Sequence, residues 1–461
     1  MNQKLLLPFL GLLTVSTACL PLNEETVPNE DPPISDDITS EEDATVTDDT
    51  AVVDDTSTTD ETTTEEVTTP TASTAIQFMM PISVTAAFKD GKTGSWEMVS
   101  ETSSTASSKT FDMNVTDVDG NYSMAFAAPS GGIVYNLNTS DLTTLDFVGA
   151  TGATRNVDVT NTFSAGATRI LTYTDNDGLN GGPEGVATST MTMVKDPADL
   201  ISTEFTGIDP DYVPSKIMIK RDLTASDTGV TLDFSLEPAD LIARANTIGG
   251  TVASSSFISS LISKNGTEMN FGSTGESYYL PPASKLIAGD FLKIESSAIL
   301  NDGSSVIVTN IYDATAATDY SVTIEQLIDY STISLNASSG VISGLSQVQS
   351  NATYPGGYYK VRFSQDPDGV VESGDEIEWN VISTAKWLGS EDTMSVPDLS
   401  NIGGYNAVSF VAGKSVSVIR PTVLFYGEGM SFEIDISGDL KSGDKEIRVV
   451  YDNALGVFTA P

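Results

Sequence analysis

The chain has 461 residues, with 64 Asp and Glu against 22 Lys and Arg, a formal net charge of -42, no histidine and a single cysteine. Such a charge repels nucleic acid and anionic membrane surfaces, and suits metal cations, cationic partners or plain solubility. Without histidine the chain lacks the commonest general base, the Ser-His-Asp and Cys-His arrangements and His-ligated zinc. Carboxylate-only chemistry, such as glycoside hydrolysis by an Asp/Glu pair, stays open.

The first stretch sets the location. Asn2, Gln3 and Lys4 form a short positive head, Leu5 to Val15 an apolar run, and Ser16-Thr17-Ala18 a small-residue approach to Cys19. That is the layout of a secretory signal over residues 1–18. A permanent membrane helix needs roughly 20 apolar residues, more than this run supplies. The small residues ending in Cys19 resemble the lipobox of bacterial lipoproteins, with Ser16 where Leu is usual. The resemblance implies that the Cys19 sulfur receives a diacylglycerol, that the signal is cut before it, and that the new amino group is acylated. Cys19 is the chain's only cysteine, so no intramolecular disulfide is available. Each buried acyl methylene contributes about 0.8 kcal/mol, so several chains hold a protein to lipid almost permanently. In Gram-negative lipoproteins Asp after the cysteine often marks inner-membrane retention; Leu20 therefore points to the outer membrane or cell surface.

Residues 19–75 read as a lipidated cysteine followed by a tether. From Asn23 to Ala75 there are 17 Asp or Glu, 15 Thr, no Lys or Arg and no aromatic residue. Such a segment cannot bury enough surface to offset its ordering entropy, and its charges repel one another. It reads as disordered, with a reach of at most about 190 Å fully stretched.

From Ile76 onward strand signals dominate. Lys216 to Lys220, Val230 to Leu236, Tyr320 to Glu325 and Met430 to Ile436 alternate apolar and polar residues, the mark of strands with one buried face. Between such runs lie Asp90-Gly91, Asp119-Gly120, Asp177-Gly178, Asn265-Gly266, Asp302-Gly303 and Asp368-Gly369, pairs that readily take hairpin-turn angles. Helical patterning is confined to pieces such as Asp240 to Ala245 and Phe257 to Ser263. The expected architecture is all-β, a string of about three β-sandwich domains over 76–201, 202–330 and 331–461. A Gly-Asp step leading into a strand recurs at Gly289-Asp290, Gly374-Asp375 and Gly443-Asp444, spaced by 85 and 69 residues. This phrase resembles the turn-and-strand of immunoglobulin-like repeats in bacterial surface proteins. Thr116 to Met124 resembles the hairpin of carboxypeptidase-regulatory-like and transthyretin-like domains. Both resemblances imply a fold class and no activity.

Two loops have the alternating oxygens that calcium needs. The later one sets Ser364, Asp366, Asp368, Gly369, Glu372 and Asp375 in EF-hand spacing, without flanking helices. The earlier one offers Asp175, Asp177, Gly178 and Glu184, with Tyr173 where the first carboxylate belongs. The competing reading is that Asp-x-Asp-Gly is a hairpin turn in which Asp bonds its own backbone. Asp227-Thr228-Gly229 matches the aspartic-protease triplet without its apolar lead-in or a second copy, and Gly413-Lys414-Ser415 ends like a phosphate loop but has Val408 where that loop needs glycine. The three tryptophans, Trp96, Trp379 and Trp387, could form a sugar-stacking platform; Trp379 reads as core, while Trp387, beside Lys386 and near Gly389, reads as exposed. The reading is a non-enzymatic, lipid-anchored cell-envelope protein acting in binding, adhesion or surface structure, with an unknown protein or carbohydrate ligand and no catalytic residues or cofactor beyond calcium. The alternative is a carboxylate-based carbohydrate-active enzyme or a carbohydrate-binding surface protein.

Overall fold

A computed structural model describes residues 73–128, 130–146, 154–181, 186–207, 212–250, 252–273, 277–316, 320–354, 356–366, 376–400, 402–405, 408–427, 429–437, 441–451 and 454–460. Among these, strands dominate and the α-helices are two short ones, α1 (Ala385–Leu388) and α2 (Phe432–Ser437). The fold is all-β.

The largest sheet has fourteen strands, numbered here in chain order: β1 (Thr85–Asp90), β2 (Glu97–Met98), β3 (Asn121–Ala128), β4 (Gly131–Asn138), β5 (Val252–Ile262), β6 (Glu268–Ser273), β7 (Phe291–Leu300), β8 (Ser305–Asp313), β9 (Gly356–Gln365), β10 (Ile377–Thr384), β11 (Ser415–Ile419), β12 (Thr422–Tyr426), β13 (Lys445–Val450) and β14 (Ala454–Thr459). Their spatial order is β6-β5-β7-β8-β13-β12-β9-β10-β4-β3-β1-β2, with β11 joining β9 to β14. Most pairs are antiparallel, and β10 lies parallel to β4.

Alternation gives this sheet two unlike faces. Tyr359, Val361 and Phe363 of β9 lie in register with Val381 and Trp379 of β10 and with Val423 of β12; Phe425 and Val423 are followed by Ile447 and Val449 of β13. All are buried in one apolar cluster. The opposite face is polar over β9, β10 and β13, carrying Tyr358, Lys360, Arg362, Glu378, Asn380, Glu446 and Arg448. Toward β3 it turns apolar again, where Phe126 and Tyr122 pack on Phe78 of the strand Thr74–Pro81.

A separate sandwich fills the region 155–234. One sheet sets Arg155–Thr162 between Val186–Met193 and Gly229–Asp233, and another orders Gly178–Gly181, Arg169–Tyr173, Ala198–Thr206 and Val213–Leu223. Val157, Val159, Ile170, Met191, Leu200, Leu232 and Phe234 close its core.

This pairing corrects the expected boundaries. The division at 201/202 falls inside the strand Ala198–Thr206, whose burial is continuous from Ala198 to Phe205 and therefore shows no period of two. Segments 76–201 and 331–461 share the large sheet through β4 and β10, and segments 202–330 and 331–461 share it through β8 and β13. The described residues belong to a single compact unit. Three local expectations also change. Asp240 to Ala245 and Phe257 to Ser263 enter strands, Ile242–Gly249 and β5, where cross-strand partners override local patterning. Phe432 to Asp435, read as strand, lies in α2. Trp387, read as exposed, is 8% exposed in α1, with Lys92 Nζ 5.2 Å from its ring centroid; Trp379 is core as expected, its indole N–H donating to Val408 O at 2.8 Å. Trp96, the third of the candidate platform, is half-buried, with Lys89 Nζ 5.6 Å from its ring centroid.

Candidate functional site: buried acids and a cleft

Where the acids sit decides what each can do. Cys19 lies outside the described residues, as do Asp368, Glu372 and Asp375 of the later calcium candidate; Asp366 directly follows β9. Of the earlier candidate, Glu184 lies outside them, while Asp175 and Asp177 are placed. The Asp175 carboxylate accepts from the backbone N–H of Val194 at 3.1 Å and Lys195 at 2.5 Å, and Asp177 accepts from Gly178 at 2.9 Å and Thr192 at 3.2 Å. Their oxygens tie the turn to the neighbouring strand, as the hairpin reading requires. Asp227 likewise closes a turn, accepting from Thr224 N–H at 2.7 Å.

The repeated Gly-Asp step is a repeated turn. Asp290 N–H donates to Ile287 O at 3.1 Å while its carboxylate accepts Ile287 N–H at 3.0 Å; Asp444 and Lys441 repeat both bonds at 3.1 and 2.5 Å. Gly289 and Gly443, with φ of 95° and 98°, take the left-handed conformation that this closure needs. Asp290 and Asp444 are both buried, at 0% and 4% exposure.

Around Asp290 the structure builds an ionic knot that the sequence did not announce. The Arg221 guanidinium grips it with two bonds, of 2.8 and 2.6 Å, and reaches Asp199 at 3.2 Å. Asp199 is also fully buried and accepts from Asp222 N–H and Asn265 Nδ2, each at 2.9 Å. Burial alone would raise its carboxyl, but these donors and Arg221 outweigh it and hold it below the usual carboxylate range. The knot ties the strands Ala198–Thr206 and Val213–Leu223 to the turn before β7.

A second pair of acids lies on the polar face of the large sheet. Glu446 of β13 lies opposite Tyr426 of β12. Tyr426 Oη donates to Asp435 at 3.1 Å, and Arg448 Nη2 donates to Glu446 at 2.9 Å. Phe432, on the same helix, packs edge-on against Tyr358 and Tyr135, at 5.6 and 6.3 Å between centroids. Burial first, and then the Asp435 charge beside it, push the Glu446 carboxyl up to about 7 in spite of Arg448. Nearby, burial and then Arg448 pull the Lys360 amine down to about 8.

On the other face, a cleft of about 240 Å³ opens over β8 and β13, lined by Val306, Val308, Asn310, Tyr312, Ser321, Val322, Thr323, Glu325, Leu327, Tyr354, Lys445 and Ile447. Lys445 Nζ stands 5.3 Å from the Tyr354 ring centroid and donates to its hydroxyl at 3.0 Å. Aliphatic floor, tyrosine walls, one cation and one carboxylate make equipment for holding a ligand. Alternation in β13 places Lys445 here and Glu446 opposite, a division readable only once the strand is known.

Among the described residues, no helix is long and apolar enough to cross a membrane. No protein-family model matches the chain, and no curated protein matches it. Among solved structures the chain is similar to a tetra-tandem repeat in the extending region of a large adhesion protein, at 14% identity over 84% of this chain and 100% of that one, with a TM-score of 0.13.

Proposed function

We propose that this protein is a non-enzymatic, lipid-anchored component of the cell envelope that acts in adhesion or surface structure. In this reading Cys19 anchors it, the acidic segment to residue 75 spaces it from the membrane, and the β unit presents the binding surface. The observation that carries the binding role is the cleft over β8 and β13, whose lining combines Tyr312, Tyr354 and Lys445 with one carboxylate, Glu325. Glycoside hydrolysis uses two carboxyl groups about 5 to 9.5 Å apart. The cleft lining offers one carboxylate, Glu325, where that chemistry needs two, so it supports the carbohydrate-active alternative poorly.

Cys19→Ala tests the anchor. The full-length protein should sediment with membranes after carbonate washing, and the variant should move to the soluble fraction. A variant that still sediments would overturn the reading.

A further inference from the structure

We propose that the cleft over β8 and β13 takes an extended peptide, which adds as a strand to the open edge of Tyr320–Thr323 and sets an acidic side chain against Lys445. The inference rests on the reading of that cleft as the binding site.

The strand Tyr320–Thr323 runs parallel to Ile242–Gly249, with Ser321 opposite Thr247 and Val322 opposite Ile248. Among the described residues no strand pairs with its other side. Ser321 and Thr323 are exposed and Val322 is buried, yet all three line the cleft. Successive side chains of a strand point to opposite faces, so three in a row line one wall only where the strand presents its edge. The edge toward Ile242–Gly249 is occupied, which leaves the open one, with its row of backbone donors and acceptors, facing the cleft. An extended peptide repeats complementary groups at the same spacing, about 3.3 Å per residue.

The facing wall selects the side chain. Lys445 stands opposite Asn310 in the pairing of β13 with β8, and both are half-buried, as are Tyr312 and Tyr354. An ammonium has three donors, and Lys445 gives one to the Tyr354 hydroxyl at 3.0 Å. A carboxylate is the ligand group that completes it. Glu325, on the strand's side of the cleft, is exposed, so water and salt screen its charge. A sugar would need an open aromatic face, whereas the Tyr354 ring has Lys445 Nζ 5.3 Å from its centroid and the Phe425 ring at 6.3 Å.

The test is selection of phage-displayed random heptapeptides on the full chain, followed by affinity measurement of the winners as synthetic peptides. Winners should share Asp or Glu at one place. In a strand alternate amides face one edge, so N-methylating one alternate set should weaken a winner more than about tenfold, and the other set less than about twofold. Lys445→Ala should weaken binding about two- to fivefold, and selection on Lys445→Glu should return Lys or Arg at the acidic place. Equal sensitivity to the two methylated sets would overturn strand addition, and winners that bind Lys445→Glu as tightly as wild type would overturn the site. An oligosaccharide array whose hits are lost in Lys445→Glu, beside an empty peptide selection, would overturn the peptide and keep the cleft as a binding site. An empty array with an empty selection would overturn both.

Discussion

The Asp199–Arg221–Asp290 knot and the Asp435–Glu446 pair each set two acids near one arginine, and they differ in where the arginine stands. In the knot a guanidinium stands between the carboxylates and bonds both, at 2.6 to 3.2 Å. In the pair the cation, Arg448, bonds Glu446 at 2.9 Å, while Asp435 takes its bond from the Tyr426 hydroxyl at 3.1 Å. The lesson is that burial by itself does not fix the state of a carboxyl: the position of the nearest fixed donor does.

Removing that donor should break the contrast with the largest effect. Arg221→Met leaves Asp199 and Asp290 buried without their cation, and stripping one partner from a buried ion network costs about 3 to 5 kcal/mol. Denaturant unfolding should show that loss, while Arg221→Lys, which keeps the charge but not the fork, should lose less. Equal stability of Arg221→Met and wild type would mean that the knot is not a structural clamp.

The pH profile of stability sharpens the comparison, because the two regions carry opposite signs. Asp199 is held below its unfolded value, so its contribution is complete above the ordinary carboxylate range and is lost as pH falls through its folded value. Glu446 is raised from 4.5 to about 7, so its contribution is complete below 4.5 and is lost as pH rises toward and through 7. A shift of that size corresponds to at most about 3 kcal/mol. Thermal unfolding should therefore show a stability maximum on the acid side of neutrality, and Glu446→Gln should flatten only its alkaline flank. A Glu446→Gln profile that still declines between pH 5 and 7 as wild type does would assign the decline to another group.

The smallest expected effect concerns the loop acids. If the loop after β9 takes calcium, the ion should raise Tm by several degrees over chelator, and Asp366→Ala/Asp368→Ala should abolish the rise. An unchanged Tm would make these residues, like Asp175 and Asp177, turn-formers.

How much of this was legible follows from the range of each interaction. Hairpin turns such as Asp302-Gly303 and Asn265-Gly266 were readable because a short loop encodes its own conformation. The Gly-Asp echo marked a true turn, since backbone, glycine and carboxylate all lie within four residues. Asp199, Arg221 and Asp290 gave no signal, being separated by 22 and 69 residues and joined only by folding. Asp435 and Glu446, 11 residues apart, were masked for a different reason: Met430 to Ile436 alternates like a strand, and only α2 brings Asp435 to Tyr426 of β12.

By itself, the sequence determined the all-β character, the turns and the excess of negative charge, because strand periodicity, turn chemistry and charge count are local or additive. The tertiary structure decided which strands share a sheet, where the cores close and which acids are clamped by a cation. Those outcomes depend on hydrogen-bond partners far apart in the chain, which no window of neighbouring residues contains.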